Sequence, residues 1–489
     1  MITNNPHHAR RWTILAILAI AQLMVVLDAT IVNIALPSAQ RDLHFANSER
    51  QWIVTAYALA FGSLLLLGGR ISDLLGRKWT FIGGLAGFAT ASAVGGAAQS
   101  FGMLAASRAL QGAFGALLAP AALSLMTTTF IDPGERNKAF GIWGAIAGSG
   151  AAIGLILGGV LTQTLSWRYS MYVNLVFATI AITGALMLLH NQAPAVRPKL
   201  DIPGVLTVSA GLFAIVYGFS HAETTSWSDH TTTGFLVTGA LLLAVFALIE
   251  ARSRSPLLPL RIVINRNRGA SFLSIVIAGA AILSLLLFLT YYLQQARGYT
   301  PIKTGVAFLP MAASVMVSAM LATNKLRPRF GPRPLVVVGM LLGSGAMLYL
   351  TRLTVATSYA TGILPALLML GVGFGLVIST SINSATLGVQ PSDAGVASAT
   401  VSACQQIGGS LGTALLTTIA ASASTSYIAS AHAQPTTALL AHAAVHGDTT
   451  AFVWAAVMFA AGAVIAALLF ERGTKALRVE AAAAPATAH

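Results

Sequence analysis

Long apolar runs recur from one end of this chain to the other, separated by short polar turns. A run of about 18 or more apolar residues can cross a hydrocarbon core of roughly 30 Å. Only helices and closed barrels satisfy every backbone group in lipid. Barrel strands would be about 10 residues long with alternating faces. The runs here are longer and apolar on every side, which predicts helices. They predict fourteen spans, over 13–35, 51–69, 80–98, 102–127, 139–162, 170–190, 203–220, 233–250, 270–293, 304–323, 334–351, 361–387, 395–420 and 451–470. The expected fold class is an all-α integral membrane protein.

Composition agrees: 56% of the 489 residues are hydrophobic and 9% charged, against about 25% charged in a soluble domain. The net charge of +14 does not imply nucleic acid, because the cations lie in turns between spans. An even number of spans puts both termini on one side, and lysine and arginine identify that side. It carries 21 of the 28 cations, the opposite side carries 6, and Arg108 lies within a span. Both termini are therefore expected in the cytoplasm. The one cysteine, Cys404, excludes an intrachain disulfide or a cysteine-ligated metal site. No Walker sequence and no His-Glu-x-x-His occurs, so neither an enzyme nor a cofactor is expected. His432, His442 and His446, with Asp448, read as a polar outer loop without metal-ligand spacing.

Two charges stand well inside spans. Asp28 is an acid in the first, and such a residue is functional by default. Burial disfavours a carboxylate while a nearby cation favours it, so a balanced carboxyl can load and release a proton. Counting about 1.5 Å per residue from the outer ends puts Asp28 about 13 Å deep and Arg108 about 9 Å deep, which allows pairing. A purely structural ion pair is the alternative.

The turn between the second and third spans reads GRISDLLGRK, Gly69 to Lys78, and that between the tenth and eleventh reads NKLRPRFGPR, Asn324 to Arg333. Both end in glycine, one residue, then a cation. Related halves meeting at a midplane site are a recurring transporter plan. The expected organisation is an N-terminus over 1–12, a six-helix bundle over 13–190, an inserted helix pair over 203–250 and a linker over 251–269. A second, pseudo-symmetric six-helix bundle covers 270–470, and a tail covers 471–489. Gly150, Gly154, Gly158 and Gly159 in the fifth span suit close helix packing. Asn33, Tyr57, Gln111, Tyr291, Tyr292, Gln294, Gln295 and Asn383 could line a substrate cavity or make interhelical hydrogen bonds.

Several of these stretches resemble the major facilitator superfamily, in its fourteen-helix drug:proton antiporter branch. LDATIVNIALP (Leu27 to Pro37), RALQGAFGA (Arg108 to Ala116), GRISDLLGRK and WRYSMYVN (Trp167 to Asn174) carry the resemblance, which extends from about residue 12 to residue 470. It implies a proton-coupled exporter of amphipathic small molecules in a bacterial cytoplasmic membrane, acting as a monomer by alternating access. It further implies that Arg108 takes part in proton transfer. Gly69, Arg70, Asp73, Gly76, Arg77 and Lys78 would form a cytoplasmic gate. Leu155 stands where the family's glycine-rich antiporter motif has proline. A proton-coupled importer and a non-transporting receptor or scaffold are the rival readings.

Overall fold

The computed structural model describes residues 10–471 except 48, 131–132, 191–200, 254–255, 259, 388, 390–393 and 432–435. Among these the chain has fourteen long helices and no strand. They are α1 (Arg11–Leu43), α2 (Arg50–Leu75), α3 (Arg77–Gly96), α4 (Phe101–Thr129), α5 (Pro133–Thr164), α6 (Tyr169–Leu188) and α7 (Ile202–Thr224). The series continues with α8 (His230–Arg252), α9 (Arg266–Tyr291), α10 (Pro301–Leu321), α11 (Pro332–Leu350), α12 (Leu364–Thr386), α13 (Ala394–Ser430) and α14 (Thr437–Leu469). Among the described residues, eleven helical stretches are long and apolar enough to cross a membrane. Glycine, alanine, serine and threonine make up much of α3 and α5.

Helix ends depart from expectation where polarity and helix formation part company. α1 continues through Pro37 to Leu43. The segment expected as an outer loop around His442 is instead the start of α14, so His442, His446 and Asp448 are helical. Its alanine-rich sequence favours helix despite the polar residues, and the Thr436 hydroxyl accepts from the Leu439 N–H at 3.2 Å, capping the first turn. His432 lies outside the described residues.

The chain forms two compact units, one of residues 1–210, 245–257 and 299–306, the other of residues 211–244, 258–298 and 307–489. In the first, α1 packs on α5 and α6, α2 on α4, and α3 on α4 and α6. One end of this unit is tied by Arg11 to Glu135 at 2.7 Å and by Lys78 Nζ, which donates to the Leu189 carbonyl at 2.6 Å. A cation at the C-terminal end of α6 is favourable because its last carbonyls lack helical partners. At the other end Asp42 accepts from Trp167 Nε1 and from Arg168 Nη2, both at 2.9 Å. In the second unit α9 packs on α12, α13 and α14, and α11 on α12 and α14. Arg266 closes its end by donating to the Leu468 and Leu469 carbonyls at 2.6 and 2.7 Å.

Three glycines between helices have positive φ: Gly298 between α9 and α10, Gly76 (φ 89°, ψ 142°) between α2 and α3, and Gly331 (φ 75°, ψ 176°) before α11, the last two each starting a helix directly. Side chains are rarely found there. Gly76 and Gly331 are the glycines the sequence pattern aligns between the two basic turns.

Candidate functional site

α1 carries Asp28 into the first unit because α5 offers it a flat face. A side chain at Gly158 would come within 3.0 Å of Ile31 Cα, and one at Gly150 within 3.0 Å of Leu23 Cδ1. At Gly154 it would meet Thr30 and, at 3.3 Å, Leu27 Cδ2. Gly159 serves the start of α10 instead, where Ile302 Cα would lie 2.7 Å from its Cβ. α4 approaches α2 in the same manner: a side chain at Gly112 would strike the Tyr57 carbonyl and come within 3.0 Å of the Phe61 amide nitrogen. This closeness lets Arg108, one turn away on α4, reach across to α2.

Asp28 and Arg108 meet. Arg108 Nη1 is 2.6 Å from Asp28 Oδ2, with relative exposures of 2% for the arginine and 0% for the acid. The guanidinium also donates from Nε to the Ile53 carbonyl at 3.2 Å and from Nη1 to Gln111 Oε1 at 2.7 Å. Its carbon lies 4.4 Å from the Tyr57 ring centroid, a cation–π contact that further compensates the buried charge. The second carboxylate oxygen, Asp28 Oδ1, accepts from Gln111 Nε2 at 3.0 Å and from Asn174 Nδ2 at 2.8 Å. Ser92 Oγ on α3 accepts from the same two amides, at 2.6 Å from Gln111 and 3.2 Å from Asn174. Helices α4 and α6 supply the donors to the α1 carboxyl, and α2 and α3 hold those donors in place. A buried charge requires this density of partners, and the donors facing both oxygens suit the ionised form.

The remaining sequence candidates are spread out. Gln111, expected to line a cavity, is fully buried within the Asp28 network. Tyr57 is buried beneath Arg108, and its hydroxyl has no hydrogen-bond partner among the described residues. Asn33 donates to the Ala29 carbonyl at 2.8 Å, within its own helix. In the second unit Tyr292 donates to the Thr354 carbonyl at 2.6 Å and Asn383 to the Ser379 carbonyl at 2.8 Å. Tyr291 is buried, Gln294 half-buried and Gln295 exposed. Of the gate residues, Gly69 lies near the end of α2, 3.8 Å from Pro120 Cβ if a side chain were added. Arg77 and Lys78 open α3, and the side chains of Arg70 and Asp73 lie outside the described residues.

Sequence reasoning missed Ser92 and Asn174. Asn174 lies five residues past Tyr169, the start of α6, so about 8 Å along that helix. That is close to the depth reckoned for Arg108, a signal available beforehand. The sequence also promised no second acid inside a helical packing surface. Yet Glu250 on α8 is 3% exposed and Asp201, just before α7, is 8% exposed. Both approach Gly204, whose Cβ would lie 3.0 Å from Glu250 Oε1 and 3.1 Å from Asp201 Oδ2.

Known proteins resemble this chain along nearly all of it. The puromycin resistance protein pur8 of Streptomyces alboniger is 46% identical over 469 residues, covering 96% of this chain and 93% of that protein. The cephamycin export protein CmcT of Amycolatopsis lactamdurans is 36% identical over 413 residues, 84% of this chain and 85% of the relative. The tetracenomycin C resistance and export protein of Streptomyces glaucescens is 35% identical over 415 residues, 84% of this chain and 76% of the relative. The fold is shared with the crystal structure of a bacterial homolog to the human lysosomal transporter Spinster, at a TM-score of 0.63 and 16% identity, covering 98% of this chain and 99% of that one. With a polar centre sunk among its helices and a family model that matches residues 18–413, the chain belongs to the Major Facilitator Superfamily of membrane transporters.

Proposed function

We propose that this transporter is a proton-coupled exporter of amphipathic small molecules, antibiotics among them, in a bacterial cytoplasmic membrane. The observation that carries the reading is the buried Asp28–Arg108 pair. A carboxyl held there changes the net charge of its surroundings when it takes up a proton, and that change biases which way a cavity faces. The named activities of the relatives support export of antibiotics, and puromycin is the first compound to test. With Asp28 as the one acid deep inside a span, the protein suits neutral or singly charged substrates better than dications.

The same reading has fourteen spans, both termini in the cytoplasm and two six-helix bundles flanking the pair α7–α8. Gly69, Arg70, Asp73, Gly76, Arg77 and Lys78 serve as a cytoplasmic gate, and a single chain is the working unit. Asn33, Tyr57, Tyr291, Tyr292, Gln294, Gln295 and Asn383 remain candidates for contact with substrate. Positive φ at both Gly76 and Gly331 supports a shared origin for the two basic turns.

The test is transport of labelled puromycin in inverted vesicles with an acidified lumen. Accumulation inside, abolished by a protonophore, supports the exporter. Loss of the compound from the lumen on acidification identifies an importer instead, and indifference to the gradient refutes proton coupling.

A further inference from the structure

The Asn174 amide uses only one of its two ends among the described residues. Its Nδ2 donates to Asp28 Oδ1 at 2.8 Å and to Ser92 Oγ at 3.2 Å. Its other end, Oδ1, is buried and has no hydrogen-bond partner among the described residues. The residue itself is fully buried, so water does not serve that oxygen from the surface. A buried acceptor left unpaired is costly, and a hydrophobic side chain at this position would avoid the cost. An amide has two donors on one end and an acceptor on the other, of nearly the same shape.

We propose that Asn174 is a positioning residue that reads the proton on Asp28 by turning its amide. Resting on Asp28 as the proton site, the step is simple. With the carboxylate ionised, Nδ2 donates to Oδ1 as observed. When a proton binds Oδ1, the new O–H needs an acceptor. Rotating the amide half a turn puts Asn174 Oδ1 where Nδ2 stood, in reach of both the acid proton and the Ser92 hydroxyl hydrogen. No bond other than the new O–H forms or breaks. Gln111 does not have this freedom, because its Oε1 is already held by Arg108 at 2.7 Å. Among the described residues, the charged and titratable groups facing Asp28 from the packed helices are Arg108 on α4 and the Tyr57 phenol on α2. From α3 and α6 come the neutral Ser92 and Asn174, and from α5 the glycines. The signal therefore passes first to α6, the helix that Asn174 belongs to.

The test is infrared difference spectroscopy between acid and alkaline pH on the full-length protein in lipid bilayers. The Asp28 carboxylic acid band is identified by its loss in Asp28→Asn. In Asn174→Leu, which keeps the volume and removes both functions, that band should move to higher wavenumber because the acid loses its acceptor. The amide carbonyl change accompanying protonation should vanish too. Asn174→Asp keeps shape and acceptor but adds a like charge, so the titration midpoint should move to more alkaline pH. An unmoved carboxylic acid band in Asn174→Leu, or an unmoved midpoint in Asn174→Asp, overturns the inference. Should the wild type show no titrating band that Asp28→Asn removes, the proton-site reading itself fails, a result distinct from either.

Discussion

Arg108 Nη1 sits 2.6 Å from Asp28 Oδ2 with neither side chain open to solvent. Desolvating two charges costs several kcal/mol per ion, so such a pair is a poor way to stabilise a protein. Its presence in an apolar helix bundle asks for a function, and in the function proposed above that is proton exchange. Asp28→Asn keeps the size and most hydrogen bonds but cannot titrate. Efflux driven by a pH gradient should be lost while puromycin binding to the purified protein persists. Wild-type coupling in a folded Asp28→Asn protein would refute the assignment.

Removing either charge leaves the other buried without its partner and should weaken folding. Arg108→Ala leaves a buried carboxylate without its counter-charge, which costs about 3–5 kcal/mol in comparable pairs. Thermal denaturation in detergent should show a clear loss of stability, and what folds should work only at more alkaline pH. The double variant Asp28→Asn with Arg108→Gln should regain stability but not coupling. If the double variant also regained proton-driven efflux, the pair would be structural alone.

The α1–α5 contact admits an independent test. At Gly158 a new Cβ would press on Ile31 Cα at 3.0 Å and on the Ile31 carbonyl oxygen at 3.2 Å, both backbone. Gly158→Val should cost about 1–3 kcal/mol, the usual penalty of overpacking, and shift the helix that bears Asp28. Gly102→Ala, with nothing within 4 Å, is the matched control and should behave as wild type in expression and melting temperature.

Gly76→Ala and Gly331→Ala probe the two basic turns. Forcing a side chain into such backbone conformations costs about 1–3 kcal/mol, so both variants should melt earlier. If Gly76 belongs to a gate and Gly331 does not, single-turnover transport should slow markedly only in Gly76→Ala. Equal slowing would extend the gate to both turns.

Topology is open to direct measurement. A reporter fused after Arg478 should read as cytoplasmic, and one inserted at residues 431–436, between α13 and α14, as external. The reverse at either position contradicts fourteen spans with cytoplasmic termini.

The apolar runs made most helices legible, because lipid leaves a chain little choice of structure. Asp28 and Arg108 stood out for a related reason: charge in such surroundings is rare. Their amide and hydroxyl partners did not. A serine like Ser92 is common in helical bundles and bonds its own backbone as readily as a neighbour, so composition cannot single it out. Asn174 needed the depth of two other residues to become visible. The start of α14 was hidden because hydropathy measures affinity for lipid, whereas alanine-rich sequence around His442 and His446 measures affinity for helix. Gln111 was legible as polar, but its two bonds to the ion pair follow from side-chain directions that spacing alone does not give.

The glycine face of α5 limits how α1 can move. Gly150, Gly154 and Gly158 recur every four residues, close to one helical turn, and each accepts α1 side chains or backbone where a larger residue would collide. Sliding α1 by a single residue, about 1.5 Å, would carry those groups out of the notches and against the bulkier residues between them. The next equivalent seating is four residues away, about 6 Å. The contact behaves as a rack with coarse teeth: α1 either stays engaged and travels together with α5, or it jumps a whole tooth. A disulfide clamp engineered across this seam would leave transport intact in the first case and stop it in the second.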